Sequence, residues 1–307
     1  MRVALLGTAA FAVPILETLV RSRHKVVGVV TGPDKPAGRG RKPMPTPVRV
    51  AAEAHNLPVL TPPKLKNRTF LSEYAAWKPD AAVVAAFRIL PEAVFDLPPM
   101  GTINIHPSLL PKYRGPAPIQ WALINGEEET GVTVFKLAKQ VDAGGVLLQR
   151  RFEIDLLETA GDLMQRVQPM ISDMLLETLD GLEEGTIHPQ PQDDREATKA
   201  PKLAKEDGLI DWGLPGVAVH NRVRGLTPWP GAYTYHNGML LKLFRSCPEE
   251  LQGSPGEVLE ADKRLIVAGS DGAVAFAEVQ RQGKRRMTVE ELMRGYKLEP
   301  GDRLGEA

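Results

Sequence analysis

Cysteine is nearly missing from this chain: Cys247 is the sole thiol in 307 residues. One cysteine cannot build an internal disulfide framework and fits a reducing compartment, so a cytoplasmic protein is expected. Neither sign of charge is in excess, with 38 basic against 38 acidic residues, so a polyanionic partner would have to be held by local basic patches. No apolar run approaches the roughly eighteen residues of a membrane span. The chain opens directly into a strand-like run, Arg2–Leu6, and no secretion signal is expected. The histidines (His24, His55, His106, His188, His220 and His236) share no metal-ligand spacing with one another or with Cys247, and no metal is expected. The turn after the first strand, Leu6-Gly7-Thr8-Ala9-Ala10-Phe11-Ala12, carries one glycine and lacks a dinucleotide fingerprint, which argues against nicotinamide chemistry.

What is present is enough chain for two domains with their own cores, at 43% apolar and 25% charged residues. The first two-thirds alternates strand and helix. Arg2–Leu6 and Lys25–Thr31 flank a helical stretch from Phe11 to Arg21. Asp80–Ala86 is a continuous apolar run, as expected of a parallel strand covered on both faces. Gly101–Ile105, Gly131–Lys136 and Val146–Phe152 add strands, and apolar residues recur at helical period from Gly161 to Glu183. The pattern predicts a Rossmann-like, doubly wound α/β domain over residues 1–188. Periodicity fades from Thr186, and residues 189–207 read as a linker rich in Pro, Gln, Asp and Lys. Over residues 208–307 one short helix precedes the runs Ala232–His236, Met239–Phe244, Arg264–Ala268 and Ala273–Val279, separated by turns such as His236-Asn237-Gly238. Such short strands predict a small β-barrel of the oligonucleotide-binding kind.

Chemistry concentrates in the string Asn104-Ile105-His106-Pro107-Ser108-Leu109-Leu110-Pro111-Lys112-Tyr113-Arg114-Gly115 and in Asp142 of Val141-Asp142-Ala143-Gly144-Gly145. Side chains alternate along a strand, so Asn104 and His106 share one side of it. They close the run Gly101–Ile105, placing them at the C-terminal end of a strand, where open α/β sheets bind ligands. An amide donor, an imidazole and a carboxylate from a later loop can together hold an oxyanion and move a proton. Taken singly, such an Asn or His serves as a turn or core group, and an Asp beside Ala-Gly-Gly as a turn former.

The string as a whole, with its following Asp-x-Gly loop, resembles the folate-dependent formyltransferase family. That resemblance implies a catalytic trio at Asn104, His106 and Asp142, with Asn104 and His106 on the oxyanion and Asp142 orienting His106 or a water and accepting the proton. It implies folate-binding segments at Phe87, Arg88, Ile89 and Leu90 and at Ser108, Leu109, Leu110 and Pro111. It also implies 10-formyltetrahydrofolate as formyl donor, with no tightly bound cofactor. Three further segments resemble the members of the family whose formyl acceptor is the α-amine of methionyl initiator tRNA, an early step of translation initiation. They are Pro33–Pro45, the Arg224–Ala232 stretch with Pro228-Trp229-Pro230-Gly231, and Gln280–Met287 before a final helix from Thr288 to Arg294.

Charge placement points the same way. Residues 34–49 carry Lys35, Arg39, Arg41, Lys42 and Arg49 against Asp34 alone, and glycine and proline are expected to keep this loop from regular structure. Lys284, Arg285 and Arg286 make a second cluster. Arg39, Arg41, Lys42, Lys284, Arg285 and Arg286 are therefore the expected tRNA contacts of a monomeric enzyme. An amino sugar or water as acceptor, or an RNA-binding protein without catalysis, are the alternatives the sequence leaves open.

Overall fold

The computed structural model describes residues 1–37 and 42–305. The chain forms two compact units. The first comprises residues 1–114, 131–151 and 167–199. Strands β1 (Arg2–Gly7) and β2 (Lys25–Val30) are followed by a small ribbon, β3 (Lys35–Ala37) and β4 (Lys42–Met44). Then come β5 (Val59–Leu60), β6 (Ala81–Ala85), β7 (Thr102–His106), β8 (Glu129–Lys136) and β9 (Val146–Glu153). The main sheet runs β5-β2-β1-β6-β7-β8-β9. The pairs from β5 through β7 are parallel, and β8 is antiparallel to β7. Val3, Ala4, Leu5, Leu6, Ala81, Ala82 and Val83 are wholly inaccessible, which is why these strands read as unbroken apolar runs. Helices α1 (Ala12–Arg21), α2 (Pro47–Ala54), α3 (Arg68–Ala76) and α4 (Glu92–Phe95) connect them, giving the Rossmann-like arrangement.

The basic segment after β2 departs from its expectation. It contains regular structure, since β3 and β4 pair antiparallel with Lys35 opposite Met44, Pro36 opposite Pro43 and Ala37 opposite Lys42. Antiparallel pairs alternate between bonded and non-bonded positions, and facing prolines can occupy a position that asks for no N–H. The chain then turns straight into α2. Thr46 caps it by accepting from the Arg49 N–H at 3.1 Å, and Pro47 sits in the first turn, where its missing N–H costs nothing. Arg49 is not a free cation: it pairs with Asp34 at 3.0 Å and Glu53 at 2.7 Å.

The second unit comprises residues 115–130, 152–166 and the chain from 200 onward. Its strands are β10 (Tyr233–His236), β11 (Met239–Glu249), β12 (Val258–Ala261), β13 (Leu265–Ala268), β14 (Ala273–Arg281) and β15 (Met287–Thr288). They form one curled antiparallel sheet in the order β10-β11-β14-β13-β12, with β15 on β14. Asn237 and Gly238 join β10 to β11 with φ of 50° and 73°, the left-handed pair that an Asn-Gly hairpin requires. Helix α5 (Pro118–Ile124), which follows the Asn104–Gly115 string in sequence, packs in this unit with α7 (Gly216–Gly225). A Cβ on Gly225 would stand 2.7 Å from Ile124 and 2.9 Å from the Gln120 carbonyl, so only glycine permits the approach. Trp121 and Ile124 join a core of Trp212, Val223, Leu243, Phe276 and Leu292. Residues 160–166 of the long helix α6 (Ala160–Glu184) belong to this unit and its remainder to the first; the short α8 (Val289–Met293) follows β15, with Thr288 and Glu291 forming a capping box at its start.

Candidate active site

Asn104 and His106 stand on β7, with Asn104 in register with Val84 of β6 and Phe135 of β8, and His106 with Thr133. The Asn104 Oδ1 accepts the Ile105 N–H at 2.9 Å, which fixes the amide's orientation. Its Nδ2 has no hydrogen-bond partner among the described residues and remains a donor for something else.

His106 is 5% exposed, with the Phe135 ring edge-on at 6.5 Å between centroids. Its Nε2 lies 2.8 Å from the Tyr113 carbonyl, which can only accept, so Nε2 carries the proton and Nδ1 is the acceptor of the neutral ring. Burial pushes the imidazole below the usual histidine pKa; the Asp142 carboxylate and the Tyr113 hydrogen bond pull part of the way back. The ring is thus neutral at neutral pH, and the charge of Asp142 is felt there. Asp142 is half-buried at a φ of 53°, on a loop where a Cβ at Gly144 would stand 1.7 Å from the Lys136 carbonyl. Tyr113 and Ala86, at the ends of the neighbouring loops, are also left-handed, with φ of 63° and 46°. Such conformations cost free energy and gather where geometry matters for function.

The turn from Ser108 to Pro111 is held from below. Thr133 Oγ1 donates to the Ser108 carbonyl at 2.7 Å and accepts from the Leu110 N–H at 3.2 Å and from Gln149 Nε2 at 2.8 Å. Gln149 also donates to the Leu110 carbonyl at 3.0 Å, and Ser108 Oγ to the Lys112 carbonyl at 2.8 Å. A Cβ at Gly131 would come within 2.3 Å of Leu109, so glycine there seats that side chain. In the other segment Leu90 is a core residue and Phe87 packs against the same cluster, whereas Ile89 is 81% exposed. Arg88 donates to the carbonyls of Pro62 and Pro63 and covers the Phe87 ring at 5.6 Å.

Of the basic residues expected at an RNA contact, Arg39 and Arg41 lie outside the described residues, and Lys42 is in β4. Lys284 is exposed in the turn after β14. Arg285 pairs with Glu291 at 2.9 Å; Arg286 pairs with Glu278 and lies over the Phe244 ring at 4.2 Å. Both arginines would have to share or exchange these partners to meet a phosphate.

Sequence reasoning missed Thr133, Gln149, Thr198 and Gln192. Thr133 had a signal, a hydroxyl inside the apolar run Gly131-Val132-Thr133-Val134-Phe135. The Tyr113 carbonyl and Arg114 fell inside the diagnostic string without a role attached.

The profile described as Formyl transferase matches residues 1–179, and the one described as Formyl transferase, C-terminal domain, matches residues 202–297. The chain is 46% identical to methionyl-tRNA formyltransferase of Citrifermentans bemidjiense, covering 100% of this chain and 97% of that protein. It is 45% identical to the methionyl-tRNA formyltransferase of Solibacter usitatus, covering 100% and 99% respectively. HypX from Aquifex aeolicus in complex with tetrahydrofolic acid shares the fold at a TM-score of 0.66 and 24% identity, over 100% of this chain and 51% of HypX. The chain belongs to the formyltransferase family.

Proposed function

We propose that this protein transfers the formyl group of 10-formyltetrahydrofolate to the α-amine of methionyl initiator tRNA, giving formylmethionyl-tRNA for translation initiation. The observation that carries the chemistry is the Asn104 amide donor, without a partner among the described residues, two residues from a buried, neutral imidazole under the influence of Asp142. Full-length similarity to methionyl-tRNA formyltransferases supports the acceptor.

The folate supplies an activated formyl carbon on N10. The α-amine attacks that carbon, a C–N bond forms, and the carbonyl oxygen becomes an oxyanion that Asn104 Nδ2 meets as a donor. The amine nitrogen must shed one proton. His106 takes it at Nδ1, because its Nε2–H is committed to Tyr113, and the Asp142 carboxylate stabilises the imidazolium. When the bond to N10 breaks, His106 returns the proton there, leaving tetrahydrofolate and the formylated amine. In this reading His106 acts on the oxyanion only once charged, and Asp142 works through it. The exposed Ile89 and the turn Ser108–Pro111 receive the pterin. Residues 1–188 carry catalysis and residues 208–307 tRNA binding, joined by 189–207, in a protein that acts as a monomer without a metal. Arg39, Arg41, Lys42, Lys284, Arg285 and Arg286 meet tRNA phosphates.

Neutralising Arg41 and Lys42 together tests the acceptor. The log–log salt slope of tRNA binding should fall by roughly 0.7–0.9 for each phosphate that the protein no longer neutralises. Slow hydrolysis of the formyl donor by water should stay unchanged. Equal loss of both activities would show that the ribbon serves the catalytic pocket and would overturn the tRNA assignment.

A further inference from the structure

The stretch His188-Pro189-Gln190-Pro191-Gln192-Asp193-Asp194 reads as a connector, yet it is tied to both halves of the catalytic arrangement within the first unit. Gln190 exchanges two backbone hydrogen bonds with Val146, at 2.7 and 2.8 Å. Thr198 accepts the Tyr113 N–H on its hydroxyl at 2.8 Å and the Arg114 N–H on its carbonyl at 2.9 Å. Between these anchors Gln192 reaches inward. Its Nε2 donates to the carbonyls of Asp142 and Gly144, at 2.9 and 2.7 Å, and its Oε1 accepts from Arg114 Nε and Nη2, at 3.2 and 2.8 Å. The amide orientation is forced, because a guanidinium only donates and a carbonyl only accepts. Arg114, whose side chain is 11% exposed, is braced in turn by Asp194 at 2.7 Å.

We propose that Gln192 is a positioning residue for formyl transfer: it clamps the Asp142 loop to Arg114 and so sets where the Asp142 carboxylate stands relative to His106. Arg114 adjoins Tyr113, whose carbonyl holds the His106 ring. One side chain therefore couples the support of the imidazole to the backbone that carries the acid. The left-handed backbone at Asp142 carries a modest free-energy cost even for an aspartate, and the two hydrogen bonds from Gln192 to this loop help to hold it. The proposal rests on the catalytic role given above to Asp142.

The test is Gln192→Glu compared with Asp142→Ala, reading kcat, KM for both substrates, and Tm. Glutamate keeps the partner on Arg114, where its charge strengthens the bond, but offers the two loop carbonyls only another acceptor. A residue that merely fastened the connector would tolerate this change. A positioning residue would not: Tm should hold while kcat falls roughly 10–100-fold, as expected of a misplacement near 1 Å. KM for both substrates should stay within about twofold, since binding is not what is impaired. Gln192→Met, uncharged and of similar length, is the second variant should the glutamate form fail to fold, and the same kcat fall is expected. Wild-type kcat in the folded variant, or a kcat loss that only tracks Tm, would overturn the proposal. If Asp142→Ala itself stays active, the role of Asp142 fails; if Asp142→Ala is dead and Gln192→Glu is normal, the clamp alone fails.

Discussion

Replacing Thr133 by valine keeps the shape of a fully inaccessible side chain and removes only its hydroxyl. That hydroxyl makes three hydrogen bonds, to the Ser108 carbonyl, the Leu110 N–H and Gln149 Nε2. Gln149 is half-exposed and can turn to water, so two backbone groups bear the loss. At about 1–3 kcal/mol for each buried group left unpaired, the cost of the two should be on the order of 2–6 kcal/mol. For a domain of this size that lowers Tm by on the order of 10 °C. Thr133→Ser is the control: it keeps the hydroxyl and removes one methyl, worth about 1 kcal/mol. Thermal unfolding of the pair, with KM for the formyl donor, reads the effect. The valine variant should be clearly the less stable and should show the larger rise in donor KM, because the turn Ser108–Pro111 loses its footing. Equal Tm for the two variants would refute the idea that this hydroxyl holds the turn.

Asn104→Ala should leave Tm and folate affinity near wild type and slow transfer roughly 10²–10³-fold, the usual effect of deleting one oxyanion donor; a variant that keeps most of its turnover would remove Asn104 from the mechanism. The His106 ring, followed by its NMR shift, should titrate below the ordinary histidine value of about 6.5, because burial disfavours its charged form. Asp142→Asn removes a charge that favours the imidazolium, so the titration should move lower still; an upward move would contradict the assigned cause.

The legible parts of the fold and site were those written in local pattern. The unbroken runs of β1, β2 and β6 reflect burial on both faces, and the Asn237-Gly238 hairpin follows from its left-handed residues. Asn104, His106 and Asp142 stood out because a contiguous string with one later loop carried them. What escaped depends on distant partners. Gln192 is 50 residues from Asp142 and 78 from Arg114, and a glutamine among prolines carries no local sign of either partner. Helix α5 looks like any short amphipathic segment, and only its packing with Trp212, Val223 and Gly225 assigns it to the second unit. The β3–β4 ribbon was hidden by prolines that usually argue against strands, but which here face each other.

Formyl transfer and the choice of acceptor can be read in one assay. The most direct measurement follows labelled formyl from 10-formyltetrahydrofolate to methionyl initiator tRNA, with uncharged tRNA, free methionine and an amino-sugar nucleotide as competing acceptors. Label should appear on the α-amine of the charged tRNA and not measurably on the other three. Transfer to the sugar nucleotide or to free methionine at a comparable rate would contradict the proposed acceptor.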